Sequence, residues 1–105
     1  MDNVFRALSD PNRREILRML RAGDLTAGEI AERLPIAKST LSGHLNVLKD
    51  ANLVLADREG TTIHYRLNIA AYEEIVVAIM NLLGVGEQEQ EATGRQWGRR
   101  KGAEQ

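Results

Sequence analysis

Hydrophobic and polar positions change period along the chain, and each change predicts an element. The clearest stretch runs from Ile36 to Lys49. Leu41, Leu45 and Leu48 recur at i, i+4 and i+7, which places them on one stripe of a helix over residues 38–50. At roughly 100° per residue, Ser39, Ser42, Gly43 and Asn46 point the opposite way. Lys38, Thr40 and Lys49 flank that polar face.

Before it, Val4, Phe5 and Leu8 form a short apolar stripe that predicts a first helix ending at Ser9-Asp10-Pro11. Asp10 is a good N-cap and Pro11 suits the first turn of a second helix. That helix turns Ile16, Leu17 and Leu20 inward and Arg14, Arg18 and Arg21 outward, with Gly23 just past its end. Thr26-Ala-Gly-Glu29 has the spacing of a capping box and opens a short helix carrying Ile30, Ala31 and Leu34. Pro35 ends it, because the residue before proline is pushed out of the helical region. The 38–50 helix starts about three residues later, and two helices joined by so short a turn cross steeply. Asn52 closes that helix in the left-handed region. Leu53–Ala56 then predicts a strand, Arg58-Glu59-Gly60-Thr61 a turn, and the alternating Thr62–Leu67 the return strand. Arg58 and Thr61 fall near the tip of this hairpin.

Asn68 caps a last helix, Ile69 to Leu83, that stops at Gly84. Ile69, Tyr72, Ile75, Val76, Ile79, Met80, Leu82 and Leu83 cover well over half its circumference, whereas packing on one small core needs a stripe of about 100°. The surplus predicts a partner surface. The simplest is the same helix in a second copy, with Val4, Phe5 and Leu8 beside Tyr72, Ile75, Val76, Ile79, Met80 and Leu83.

Composition narrows the picture. The 105 residues have room for one domain, and 43% hydrophobic and 28% charged residues are ordinary for a globular chain. From Val85 the composition shifts to an acidic block (Glu87, Glu89, Glu91) and a basic one (Arg95, Arg99, Arg100, Lys101) around Trp97. We therefore expect a domain over residues 1–84 and a charged tail over 85–105. With no cysteine, disulfides, thiolate metal sites and cysteine nucleophiles are excluded together. No apolar run approaches the ~20 residues of a membrane span, and the N-terminus lacks a signal-peptide layout. The cytoplasm is the expected location. The net charge of −1 means that any attraction to nucleic acid must be local.

The 38–50 helix is where such attraction is concentrated. A merely solvated face carries Glu/Lys pairs at i, i+4; this one is uncharged at its centre and basic at its edges. Short hydroxyl and amide groups read base edges and phosphates, and glycine lets a backbone come close. The candidate DNA-binding residues are therefore Lys38, Ser39, Thr40, Ser42, Gly43, His44, Asn46 and Lys49, with Arg58 and Thr61 on the hairpin. His44 borders the leucine stripe, so a packed edge position competes with a phosphate contact. His64 on the return strand reads as structural. No catalytic constellation is present: there is no Ser/His/Asp spacing on plausible elements and no glycine-rich loop after a strand.

Taken in order, Val4-Phe-Arg-Ala-Leu-Ser-Asp-Pro-Asn-Arg-Arg-Glu-Ile-Leu17, Ser39-Thr-Leu-Ser-Gly-His-Leu-Asn-Val-Leu48, Ala51-Asn-Leu-Val54 and Arg58-Glu-Gly60 through Tyr65 resemble the ArsR/SmtB family of bacterial winged helix-turn-helix repressors. Within it they look most like the cysteine-free SdpR-type autorepressors. The resemblance implies a mainly α fold with a small β-hairpin wing, ordered α-α-α-α-β-β-α. It also implies a homodimer through the first and last helices, and a palindromic operator of double-stranded DNA with the 38–50 helix in the major groove. Two departures stand out. Ala37 takes the place of the serine that many members use to cap that helix. The metal-sensing members' Cys, or Asp/His pairs on the last helix, are missing: residues 69–83 offer only Glu73 and Glu74, which point about 100° apart. No cofactor or metal is expected. An unidentified effector or protein partner stays open, as do activation in place of repression, a winged-helix module that binds protein, and metal sensing through non-thiolate ligands.

Overall fold

A computed structural model describes residues 1–86. The expectations placed on Glu87, Glu89, Glu91, Arg95, Trp97, Arg99, Arg100 and Lys101 lie outside the described residues. The elements are α1 (Asp2–Leu8), α2 (Pro11–Arg21), β1 (Leu25–Thr26), α3 (Ala27–Ala31), α4 (Lys38–Asp50), β2 (Val54–Glu59), β3 (Thr62–Leu67) and α5 (Ile69–Leu83). The chain packs as one unit over Met1–Tyr72 and a second that begins at Glu73.

Capping decides where the helices begin. The Asp10 carboxylate accepts hydrogen bonds from the amides of Asn12 at 2.7 Å and Arg13 at 3.1 Å. Pro11, which has no N–H to satisfy, opens α2. Desolvation pushes the Asp10 carboxyl up, but hydrogen bonds from those two amides help to hold it below its ordinary value. In the capping box of α3, the Thr26 hydroxyl accepts from the Glu29 amide at 3.1 Å, and the Glu29 carboxylate accepts from the Thr26 amide at 2.8 Å. The Thr26 amide is the largest cause of the lowered Glu29 pKa. A carboxylate whose folded-state pKa is depressed adds stability above its unfolded pKa and loses it as pH falls through the folded value. Glu29→Gln keeps the reciprocal bond and does not titrate. Acid-unfolding curves are expected to show a shallower loss of stability for Glu29→Gln than for the parent on the low-pH limb.

Two boundaries differ from the sequence expectation. Helix α3 ends at Ala31, several residues before Pro35. The amides of Arg33 and Leu34 still return to the Ile30 carbonyl at 3.0 and 3.2 Å, so a tightened turn carries the chain up to the proline. The hairpin turn is also shorter. Strands β2 and β3 pair up to Glu59↔Thr62, which leaves only Gly60 and Thr61 in the turn and makes Arg58 a strand residue. Gly60 has φ +66, the conformation that a two-residue hairpin demands at its first position.

The sheet contains the expected two-stranded wing and adds a third, short strand to it. It has three strands in the order β1-β3-β2. Strand β1 runs antiparallel to β3 with Leu25 opposite Tyr65 and Thr26 opposite His64. The element order is therefore α-α-β-α-α-β-β-α. A two-residue strand has no period to read, and its pairing is decided by a distant segment.

Helix α4 ends in a Schellman motif. Asn52 takes φ +61, its amide bonds the Lys49 carbonyl at 2.9 Å, and the Leu53 amide bonds Leu48 at 3.0 Å. Leu48 and Leu53 are both buried, supplying the apolar contact that accompanies this motif. They join Ile16, Leu20, Ile30, Leu34, Leu41, Leu45, Val54 and Tyr65 in a core shared by α2, α3, α4 and the sheet. Val4 and Ala7 of α1 are buried as well. Of the three apolar α1 residues assigned to a seam between copies, Phe5 alone is exposed; Leu8 is intermediate.

Asn68 caps α5, its side-chain oxygen accepting from the Ala71 amide at 3.3 Å. The helix closes at Gly84, φ +75, with the Val85 amide on the Met80 carbonyl at 2.9 Å. None of its 15 residues is buried. The Tyr72 hydroxyl is an exception at the atomic level: it is shielded from solvent and has no hydrogen-bond partner among the described residues. Burial raises its pKa, and the charge of Arg21 offsets only part of that. No described helix is long and apolar enough to cross a membrane.

Candidate nucleic-acid interface

Helix α4 is held by one face and free on the other. Leu41, Leu45 and Leu48 are in the core, while Lys38, Ser39, Thr40, Ser42, Gly43, Asn46 and Lys49 are all exposed. Helix α3 packs against α4, as the short connection between them predicts. No acidic residue interrupts the exposed face before Asp50 at its end. Lys38 and Lys49 form no ion pair among the described residues, so both ammonium groups are available to an external anion.

His44 departs from this set. Its side chain is only 12% exposed. Nδ1 lies 3.1 Å from a guanidinium nitrogen of Arg13, and Nε2 lies 3.9 Å from the Asp10 carboxylate. Of the two roles open to it from sequence, the structure places it at the packed edge. Arg13 carries no signal in the sequence. Its partners are Arg6, Ala7 and His44, and the last is 31 positions away.

The start of α4 has no side-chain cap. Ala37 sits at φ −66, ψ 149, the backbone conformation of an N-cap, but offers no acceptor. A serine there has the right backbone to accept from an amide of the first turn. Ala37→Ser is expected to raise unfolding free energy by about 1 kcal/mol, read from the midpoint of a urea titration at unchanged slope.

On the wing, alternation sorts the side chains by face. Val54, Ala56 and Arg58 share one face of β2, and Leu55, Asp57 and Glu59 the other. Asp57 is paired with Arg66 at 2.7 Å, and Glu59 faces His64 at 3.4 Å, both on the exposed side. The charges of Asp57 and Arg66 cancel as a pair. Arg58 is exposed and forms no ion pair among the described residues, and Thr61 is exposed in the turn beside it. Among the described residues, no three His, Asp or Glu side chains come together as a metal site.

The comparisons agree with this architecture. A family model described as a helix-turn-helix domain matches residues 8–57. The transcriptional repressor SdpR of Bacillus subtilis is 44% identical over 87 residues, covering 83% of this chain and 97% of that protein. An arsenical resistance operon repressor of Staphylococcus aureus is 34% identical, covering 72% of this chain and 73% of its own. Among solved structures, an ArsR-like transcriptional regulator from Rhodococcus sp. RHA1 superposes with a TM-score of 0.73 at 31% identity, covering 90% of this chain and 86% of that one. HlyU from Vibrio cholerae gives 0.63 at 30% identity over 76% of this chain and 87% of its own. Paired helices with a free polar face, a wing beside them and a relative, SdpR, matched over nearly its full length lead to one assignment: the chain belongs to the ArsR/SmtB family of winged helix-turn-helix transcriptional regulators.

Proposed function

We propose that this protein is a homodimeric repressor that binds a palindromic operator in double-stranded DNA, residues 1–84 forming the DNA-binding and dimerisation domain. Helix α4 of each copy enters one of two successive major grooves, about 34 Å apart. Ser39, Thr40, Ser42, Gly43 and Asn46 meet base edges and the nearby backbone; Lys38 and Lys49 neutralise phosphate. Arg58 and Thr61 of the wing reach phosphate or the minor groove alongside. The observation that carries this reading is the division of α4 itself, with every leucine of its stripe buried and its small polar face left open. Repression is supported by the relatives, which include SdpR and an arsenical resistance operon repressor. Binding to DNA without catalysis, in the cytoplasm, follows from the same reading.

The dimer is supported by α5. Val76, Val77, Met80, Leu82 and Leu83 are exposed. Large apolar side chains exposed together in this way mark interaction surfaces. Tyr72, Ile75, Val76, Ile79, Met80 and Leu83, with Val4, Phe5 and Leu8 from α1, are the residues we assign to the seam.

Selection of bound fragments from random DNA, followed by a salt series, tests the reading. Each phosphate contact contributes about −0.9 to the slope of log affinity against log salt. Lys38→Gln is expected to weaken binding about equally for all sequences and to reduce the slope by about 1.8, one phosphate contact in each of the two copies. A slope near zero in the parent protein points instead to the second reading, a winged-helix module that uses the apolar α5 surface to bind another protein. Repeating the selection with divalent metals and with a chelator tests whether an effector of that class acts.

A further inference from the structure

His44 is the one polar side chain of the reading helix, between Lys38 and Lys49, that does not face outward. We infer that Arg13 and His44 form a positioning pair that fixes the reading helix to the end of α1. The inference rests on α4 being the element that enters DNA.

Arginine has donors and no acceptor. The fork of Arg13 spends its donors on three separate partners. Nε donates to the Ala7 carbonyl at 2.9 Å, one terminal nitrogen to the Arg6 carbonyl at 2.8 Å, and the other meets His44 Nδ1 at 3.1 Å. The first two partners are carbonyls of the last turn of α1, where the Arg6 carbonyl also accepts from the Ser9 amide at 3.2 Å and the Ser9 hydroxyl at 2.7 Å. The third lies on α4. One planar group therefore caps α1 and holds the middle of α4 at the same time. Its own backbone amide is bonded to Asp10, so its base is fixed as well.

The chemistry of the pair sets the state of the ring. Because Arg13 only donates, Nδ1 must be the bare, accepting nitrogen. The N–H of the neutral imidazole is then on Nε2, directed to the side of the Asp10 carboxylate 3.9 Å away. Helix α4 needs such a hold because its own start has none: Ala37 supplies no cap. Leucine packing sets the depth of a helix but tolerates small rotations about its axis, whereas a hydrogen bond from a rigid fork is directional. Rotation is what a reading face tolerates least.

Imidazole nitrogen NMR on the whole, DNA-free protein tests the pair directly. The expected result is the Nε2–H tautomer in the parent and a mixture of tautomers in Arg13→Met, which removes the donor; the Nδ1–H form in the parent overturns the inference. Operator binding is the second test. His44→Asn keeps an acceptor close to the place of Nδ1, and His44→Leu fills the space without one. We expect His44→Asn to bind within about threefold of the parent and His44→Leu to bind about tenfold more weakly or worse, the scale of one lost charge-assisted hydrogen bond. Neither change should alter the salt slope, because the ring faces away from phosphate. Adding His44→Leu to Arg13→Met should cost little more, since contacting residues are not additive. Equal losses for Asn and Leu, a changed salt slope, or full additivity would each overturn the pair. Urea midpoints confirm that each variant is folded before it is scored. If Lys38→Gln leaves operator binding unchanged while the tautomer is as expected, the reading helix is misassigned and the Arg13–His44 contact still stands.

Discussion

Gly43→Ala is expected to stabilise the protein, and Gly43→Gln to stabilise it while destroying operator recognition. Gly43 sits in the middle of α4 on the exposed face, and a Cβ built there meets nothing within 4 Å. It is not among the glycines with positive φ, so the backbone does not need glycine. In such a place glycine costs about 0.5–1 kcal/mol relative to alanine. Urea unfolding of Gly43→Ala should recover that amount. The fold on its own therefore gives no reason for a glycine here. A duplex lying against the helix does, because a bare Cα lets the helix backbone approach base edges and phosphates. Glutamine is a good helix former without charge, so Gly43→Gln separates the two effects. Its stability should equal or exceed the parent's. Its operator affinity should fall by about 10- to 100-fold, the cost of about 1–3 kcal/mol for losing one well-placed base contact. Retained affinity in a stable Gly43→Gln would mean that this face does not lie in the groove.

Val76→Glu is expected to yield a folded monomer. Val76 is 54% exposed within the chain, so charge there leaves the core untouched. In a two-fold dimer the same position is altered in both copies. Losing the burial of one such side chain costs about 1.5–3 kcal/mol. Doubled across the axis, that weakens the dimer by roughly two to four orders of magnitude. Sedimentation at micromolar concentration should report a monomer, and the operator should be bound only as isolated half-sites. Val77 is the control. It is also exposed but is about 100° away around the helix and outside the assigned seam. Val77→Glu should leave the dimer largely intact. Monomers from Val77→Glu and dimers from Val76→Glu would place the seam on the other side of α5.

These variants and the positioning pair address one helix from two directions. Gly43 asks what the outer face of α4 meets, and His44 asks what holds that face at its angle. A change in stability without a change in specificity, or the reverse, tells them apart.

Much of the site was legible because its determinants are short-range. The leucine spacing at 41, 45 and 48 places Ser42, Gly43 and Asn46 opposite, and the exposed positions of α4 match that division. The Asp10 cap, the Thr26–Glu29 box, the left-handed Asn52 and the stop at Gly84 each involve residues within a few positions of one another. Even the missing cap at Ala37 is readable as an absence in the right place. The surplus apolar surface of α5 was also readable, since nine large apolar side chains on one short helix exceed what one core can take.

The sequence by itself determined the helices, their caps, the free polar face and the apolar excess, because hydrogen bonds and periodicities within a turn or two of chain need no knowledge of the fold. Only the tertiary structure decided that Leu25–Thr26 joins the sheet as a third strand, that Val4 is spent on the core, and that His44 turns to Arg13 and away from the open face. Each of those depends on a partner far along the chain. Local propensity carries no term for such a partner until packing brings the two segments together.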